Sequence, residues 1–329
     1  MRTLRNIDAR NLDDAIDIAV EAHAAGQVAA FSGGGTDLLQ QLKDGTERPD
    51  VLINLRNVVG ESQVSLRNDR VDIGGLISLT NLSEDSIVLE ELPVLSQAAA
   101  SVGSPQIRNL GTLAGNVMQR PWCWYYRTGF KCFKAGGNQC FSVTGENQLH
   151  AIFGGGPSFI VHPSDTAPAL VALNASFRII GLDGERFVPA SEFFVLPSVN
   201  AEIENILNDN EILAGVSIPR PGTNARSAYR KIMDREAWTH AVVSVAIVLE
   251  MDGPICNRAS IVMGGVAPIP WRVPEAEQLL TGQRITSELA AQAGRRAVAG
   301  AAPLAKNGYK VKMASAVVER TILQVAGIA

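Results

Sequence analysis

No stretch of this chain approaches the ~18 uninterrupted apolar residues of a membrane-spanning helix. The N-terminal residues up to Asp8 also lack the apolar run of a signal peptide. Lys and Arg are nowhere clustered, and their total of 29 falls short of 33 Asp+Glu, for a net charge of −4. Nucleic acids and anionic membranes both demand concentrated positive charge, so neither is an expected partner. Cysteine is scarce, with four in 329 residues, and a chain of this length buries a sizeable core without disulfide staples. No repeat at a fixed period is visible. The expectation is a cytoplasmic protein, periplasmic only if a signal-bearing partner exports it. Its length predicts two or three domains, and its hydrophobic fraction of 46 % is that of an ordinary globular chain.

Residues 12–26 carry Ala15, Ile16, Ala19, Val20 and His23 at helical spacing and stop at Gly26. Val28–Phe31 and Val51–Leu55 are short apolar runs suited to buried strands. Together they predict a strand, glycine turn, helix, strand unit. Val71–Leu76 predicts a strand and turn, Val94–Val102 a helix, Leu110–Asn116 a loop, and Leu170–Ile180 a strand. Pro219–Thr223 is the best linker candidate. Beyond it, Ala241–Glu250 and Ala259–Gly265 predict strands joined across Asp252-Gly253-Pro254, and the tail is helical.

Two glycine-rich segments carry chemistry. Ser32-Gly33-Gly34-Gly35-Thr36-Asp37 lies between a predicted strand and a helix. Glycines there let backbone N–H groups approach an anion with no Cβ in the way, and successive amides beside a helix N-terminus can cradle a phosphate. Such a turn can also be only a turn, with Asp37 as a helix cap. Neither Gly-x-Gly-x-x-Gly nor a P-loop is present, since Leu38 occupies the last glycine position and no Gly-Lys-Ser/Thr follows. The second segment is Ile107-Arg108-Asn109-Leu110-Gly111-Thr112-Leu113-Ala114-Gly115-Asn116. Two cradles could hold one pyrophosphate from two sides.

Three of the four cysteines, Cys123, Cys132 and Cys140, fall within eighteen residues, and seven of the chain's aromatics lie in residues 122–141. Such a segment suggests an irregular loop wrapped around something. Clustered thiols suggest a metal. Zinc would need a fourth ligand such as His150 or His162, iron–sulfur is the other candidate, and buried inert thiols are the third reading. Cys256 is expected to be a core thiol.

The ordered pair Gly33-Gly34-Gly35-Thr36-Asp37 and Arg108-Asn109-x-Gly111-Thr112-x-x-Gly115-Asn116 resembles the FAD-binding signature of molybdenum hydroxylase flavoprotein (medium) subunits, the xanthine dehydrogenase family. His162-Pro163-Ser164-Asp165, Glu211-Ile212-Leu213, Tyr229-Arg230-Lys231 and Gly264-Gly265-Val266-Ala267-Pro268 continue the likeness along the whole chain. The resemblance implies an α+β protein: a two-subdomain FAD-binding fold of the PCMH type (residues 1–57 and 58–222), then a C-terminal antiparallel sheet with helices (223–329). It implies that Phe31, Ser32, Gly33, Gly34, Gly35, Thr36, Asp37 and Leu38, with Thr112, Leu113, Ala114, Gly115 and Asn116, wrap the FAD pyrophosphate and ribityl chain. Asp165 would accept hydrogen bonds from FAD hydroxyls, and Leu213 and Lys231 would lie near the isoalloxazine. The bland counterparts are a capping Asp165, a core Leu213 and a solvated Lys231.

Residues 118–158 further resemble the insert of the family's [4Fe-4S]-bearing branch, which includes periplasmic aldehyde oxidoreductase. That implies Cys123, Cys132 and Cys140 as cluster ligands, with Ser158 where the branch has its fourth cysteine. The implied function is electron transfer within a heteromeric oxidoreductase. Substrate is hydroxylated at a molybdopterin centre on a large partner, electrons cross [2Fe-2S] clusters on a small partner, and this FAD passes them to an external acceptor. No catalytic residue for the hydroxylation is expected in this chain. The alternatives are a stand-alone flavin oxidase of the same FAD superfamily and a zinc-stabilised binding protein.

Overall fold

The computed structural model describes residues 3–235 and 239–328. Three sheets follow one another along the chain. In the first, β1 (Arg5–Asp8), β2 (Ala29–Ser32) and β3 (Val51–Asn54) run parallel in the order β1-β3-β2. The crossover helix Leu12–Ala24 begins where the Asn11 side chain accepts from the Asp14 N–H, and it buries Ala15, Ile16, Ala19 and Ala22 against the sheet. Gly26, with φ +71°, turns the chain back toward β2.

The second sheet is antiparallel and contains β4 (Val64–Leu66), β5 (Arg70–Gly74), β6 (Ser176–Gly181), β7 (Gly184–Pro189) and β8 (Ile212–Pro219), ordered β4-β5-β8-β6-β7. The third contains β9 (Ala225–Ile232), β10 (Val243–Asp252), β11 (Ile255–Gly264), β12 (Trp271–Arg272) and β13 (Gln283–Arg284), also antiparallel. Helices Ser287–Ala297 and Tyr309–Ala326 cover it, packing Ala293, Val318 and Ile322 into its core. The helices Pro93–Ala100 and Thr166–Ala172 join the second sheet to the third through one core that includes Val71, Phe177, Ala246 and Val262.

Two local expectations change. Leu170–Ile180 is not one strand: residues up to Ala172 complete the helix Thr166–Ala172, and the strand begins at Ser176. All seven residues of that helix are buried, so no polar face marks its period. Nor is Leu110–Asn116 a loop. It contains the end of the helix Pro105–Leu110 and most of a helical turn, Leu113–Val117. The Thr112 hydroxyl starts that turn by accepting from the Gly115 N–H at 3.1 Å.

The cysteine-bearing insert is irregular, with one helical turn at Trp124–Arg127 and a 3-10 turn at Phe133–Ala135. Its aromatics largely pack on one another: Phe130 meets Phe141 edge-on at 4.8 Å and Tyr125 at 5.3 Å. Buried Lys134 pairs with buried Glu204 and ties the insert to the segment before β8.

Candidate functional site

The turn after β2 emerges at the carboxyl end of the parallel sheet, where open α/β layers place ligands. It meets the second glycine segment directly. A Cβ on Gly34 would lie 1.8 Å from the Leu110 carbonyl oxygen, and one on Gly33 would lie 3.0 Å from the Thr112 hydroxyl. Gly34 is therefore required first for backbone-to-backbone approach of the two segments. Gly35 has φ +71°, which favours glycine.

Asp37 stands at the N-terminus of the helix Leu38–Asp44 but makes no cap hydrogen bond. Its carboxylate accepts from Arg127 Nη2 at 2.8 Å, from the Arg120 backbone N–H at 3.0 Å and from Gln41 Nε2 at 2.7 Å. The turn is thus held to the insert rather than to its own helix.

Two clefts open on either side of this turn. The first, about 370 Å³, is walled by Phe31–Leu38, Thr112, Gly115, Gln41 and Leu213. The second, about 450 Å³, shares Gly35, Thr36 and Asp37 and adds Val102, Asn116, Trp122, Asp165 and His240. Each is lined by one residue with a buried amide atom that has no partner. In the first it is the Gln41 carbonyl oxygen, Oε1; in the second it is the Asn116 amide nitrogen, Nδ2. Neither orientation is arbitrary. Gln41 Nε2 must face the acceptor-only Asp37 carboxylate, and Asn116 Oδ1 must face the Thr166 N–H at 3.2 Å. An unpartnered acceptor in one cleft and an unpartnered donor in the other suit a ligand that spans both.

Asp165 does not cap the helix that starts at Thr166. Its Oδ1 accepts from the Tyr229 hydroxyl at 2.7 Å and its Oδ2 from Lys231 Nζ at 2.6 Å, with Lys231 also donating to the Ser101 carbonyl at 3.0 Å. Both charged side chains are buried. Burial pushes the Asp165 carboxyl up, while the Lys231 ammonium and the two hydrogen bonds pull against it. Lys231 is therefore no solvated strand lysine. Leu213 is buried in β8 and lines the first cleft, whereas Asp165, the partner of Lys231, lines the second. Leu213 and the carboxylate partner of Lys231 thus line different clefts, although the resemblance brings Leu213 and Lys231 to one ring.

Sequence reading missed Gln41, Arg127, Trp122 and Tyr229. Of these only Tyr229 carried a signal: it lies two residues before Lys231 in β9, hence on the same face of the strand. Arg127 and Trp122 act across long sequence separations, through Asp37 and His240, whereas Gln41 stands one helical turn from Asp37.

All four cysteines are free. Cys123 Sγ lies 3.3 Å from His150 Nε2, and Cys140 Sγ lies 3.1 Å from the Ser142 hydroxyl. Burial pushes the Cys123 thiol up to about 11, and charge on Cys132 or Cys140 would act in the same direction. Ser158 is buried, next to a cis Gly156–Pro157 bond. Among the described residues no three His, Cys, Asp or Glu side chains are placed to hold a metal ion, so the expected convergence of Cys123, Cys132 and Cys140 on one ion is not found. The Cys123 and Cys140 side chains instead find partners within the insert. His150 faces Cys123, and His162 stacks edge-on with Phe194 at 4.8 Å. Cys256 is a fully buried core thiol. No helix among the described residues is long and apolar enough to cross a membrane.

Two glycine segments clamped together between paired clefts on a mixed α/β scaffold suit a dinucleotide. The sequence matches the family described as "FAD binding domain in molybdopterin dehydrogenase" over residues 4–221, and "CO dehydrogenase flavoprotein C-terminal domain" over residues 227–325. The chain belongs to this family of molybdenum hydroxylase flavoprotein subunits. It is 33 % identical over 292 residues to the aldehyde oxidoreductase FAD-binding subunit PaoB of Escherichia coli (strain K12), covering 87 % of this chain and 88 % of that one. It is 26 % identical over 302 residues to the carbon monoxide dehydrogenase medium chain of Hydrogenophaga pseudoflava, covering 90 % of this chain and 89 % of that one. A solved carbon monoxide dehydrogenase from that organism superposes with a TM-score of 0.79 at 22 % identity, over 100 % of this chain and 99 % of that one, which shows the shared fold.

Proposed function

We propose that this chain is the FAD-carrying relay subunit of a heteromeric molybdenum hydroxylase. The observation that carries the FAD reading is the pair of unpartnered buried amide atoms, Gln41 Oε1 and Asn116 Nδ2, in clefts that meet at one glycine turn. The residues fit the cofactor. Gly33–Asp37 and Thr112–Asn116 would receive the pyrophosphate, the first cleft with Gln41 and Leu213 the adenosine end, and the second the isoalloxazine. There the Asp165–Lys231 pair sets a fixed charge environment beside the ring, the kind of group by which a protein tunes a flavin. Bound flavin would supply electron acceptance and release; the chain's own residues position it and exclude water. We assign the first two units, 1–57 and 58–222, to the cofactor and 223–329 to the C-terminal unit. Co-expression with a small [2Fe-2S] subunit and a large molybdopterin subunit tests the assignment: one complex containing FAD, iron and molybdenum is expected. A flavin-free complex overturns the FAD role, and substrate turnover by this chain alone overturns the division of labour.

We also propose a [4Fe-4S] cluster in the insert, on Cys123, Cys132 and Cys140, with Ser158 at the fourth position. Three free thiols in one insert support it. A cluster spreads its thiolates over several irons, so its ligands need not meet at one ion. In the present arrangement Cys123 faces His150, so the insert must shift to admit the cluster.

A further inference from the structure

Trp122 lies in the insert, yet it lines the second cleft beside Asn116 and Asp165. It is 42 % exposed. It is held in place from within the protein. The Arg127 guanidinium sits over its ring at 4.7 Å, and the His240 ring lies 5.2 Å away at 38°. Arg127 is itself buried and fixed by Asp37 and by the carbonyls of Pro121 and Arg120. An anchored aromatic plane at the lip of a cleft is poised for a flat ligand. Tyr125, Phe130 and Phe141 pack on one another instead.

We propose that Trp122 is a positioning residue for the flavin ring, forming the aromatic wall of the isoalloxazine cleft and shielding it from water. The inference rests on the FAD reading above. It also gives the insert a role independent of iron, since Arg127 couples the indole to the pyrophosphate turn through Asp37. Stacking on an electron-rich aromatic quenches flavin emission by photoinduced electron transfer from the ring. Tryptophan and tyrosine are good donors in that process, and phenylalanine is a poor one.

The test compares holo-complexes carrying Trp122→Phe and Trp122→Tyr with the native protein, each checked for flavin content by visible absorbance and for fold by circular dichroism. Trp271→Phe is the control, because Trp271 stacks on Phe153 at 5.1 Å and lines neither flavin cleft. Native protein should show strongly quenched flavin fluorescence. Trp122→Phe should raise emission per bound flavin several-fold, Trp122→Tyr should restore most of the quenching, and Trp271→Phe should change nothing. A merely structural Trp122 would not separate Phe from Tyr. Unchanged emission in flavin-loaded Trp122→Phe overturns this proposal alone, and native complex that retains no flavin removes both it and the FAD reading.

Discussion

Asp37 accepts the Arg127 guanidinium at 2.8 Å across ninety residues of sequence, joining the glycine turn to the insert by a part-buried ion pair. Without Arg127 the Asp37 carboxylate keeps the Arg120 N–H and Gln41 Nε2, so the loss is smaller than the ~3–5 kcal/mol of breaking a fully buried pair. Arg127→Gln should therefore lower the melting temperature and weaken FAD retention together, as read by thermal unfolding and by flavin release on dilution. Unchanged flavin retention would show that the turn holds its shape without the insert.

Gly34→Ala should separate the two glycine segments, because its methyl would fall on the Leu110 carbonyl. The expected result is flavin-poor protein of reduced stability. Gly222→Ala, which meets nothing within 4 Å, should leave both properties unchanged.

Asp165→Asn and Lys231→Met should each destabilise by about 3–5 kcal/mol, since each leaves the other charge buried and unpaired. The double variant should recover part of that loss. Denaturant unfolding of all four proteins closes the cycle, and strictly additive losses would deny the coupling.

Stability should fall on mild acidification. Burial pushes His162 down to about 3, against ~6.5 in the unfolded chain. Between those values the unfolded state binds the proton and the native state does not, so stability rises with pH in that window and is fully present above ~6.5. The slope from this one residue is on the order of 1.4 kcal/mol per pH unit crossed. His162→Gln should reduce the slope between pH 4 and 6, measured as unfolding free energy against pH, while His150 and His240, each pushed down to about 4 by burial, supply the rest.

Iron content should separate the cysteines. Cys123→Ser, Cys132→Ser and Cys140→Ser should each lower iron beyond that of the [2Fe-2S] partner, and Cys256→Ala should not. Ser158→Cys should make the cluster more resistant to oxygen, because a serine hydroxyl is much harder to deprotonate than a thiol. Freely alkylated Cys123, Cys132 and Cys140 in anaerobically prepared protein, with no extra iron, would leave the insert a packed loop.

Much of the site was legible because its requirements are local. The glycine turn, and Asp165 and Lys231 in their motifs, are features of a few consecutive residues, and so are the helix Leu12–Ala24 and the hairpin of β10 and β11. What escaped depends on closure of the chain. The Thr166–Ala172 helix is buried on every side and so shows no helical period. That Gly34 is needed by a neighbouring backbone, that Asp37 serves Arg127 rather than its own helix, and that Asp165 meets Tyr229 and Lys231 all follow from contacts over 60 or more residues. Only packing decides such pairs, because spacing along the chain carries no record of which elements will face each other. By itself the sequence determined which residues can cradle an anion. The tertiary structure decided that two clefts meet at that cradle, each with one unpartnered amide atom, and that an indole from the insert stands at the edge of one of them.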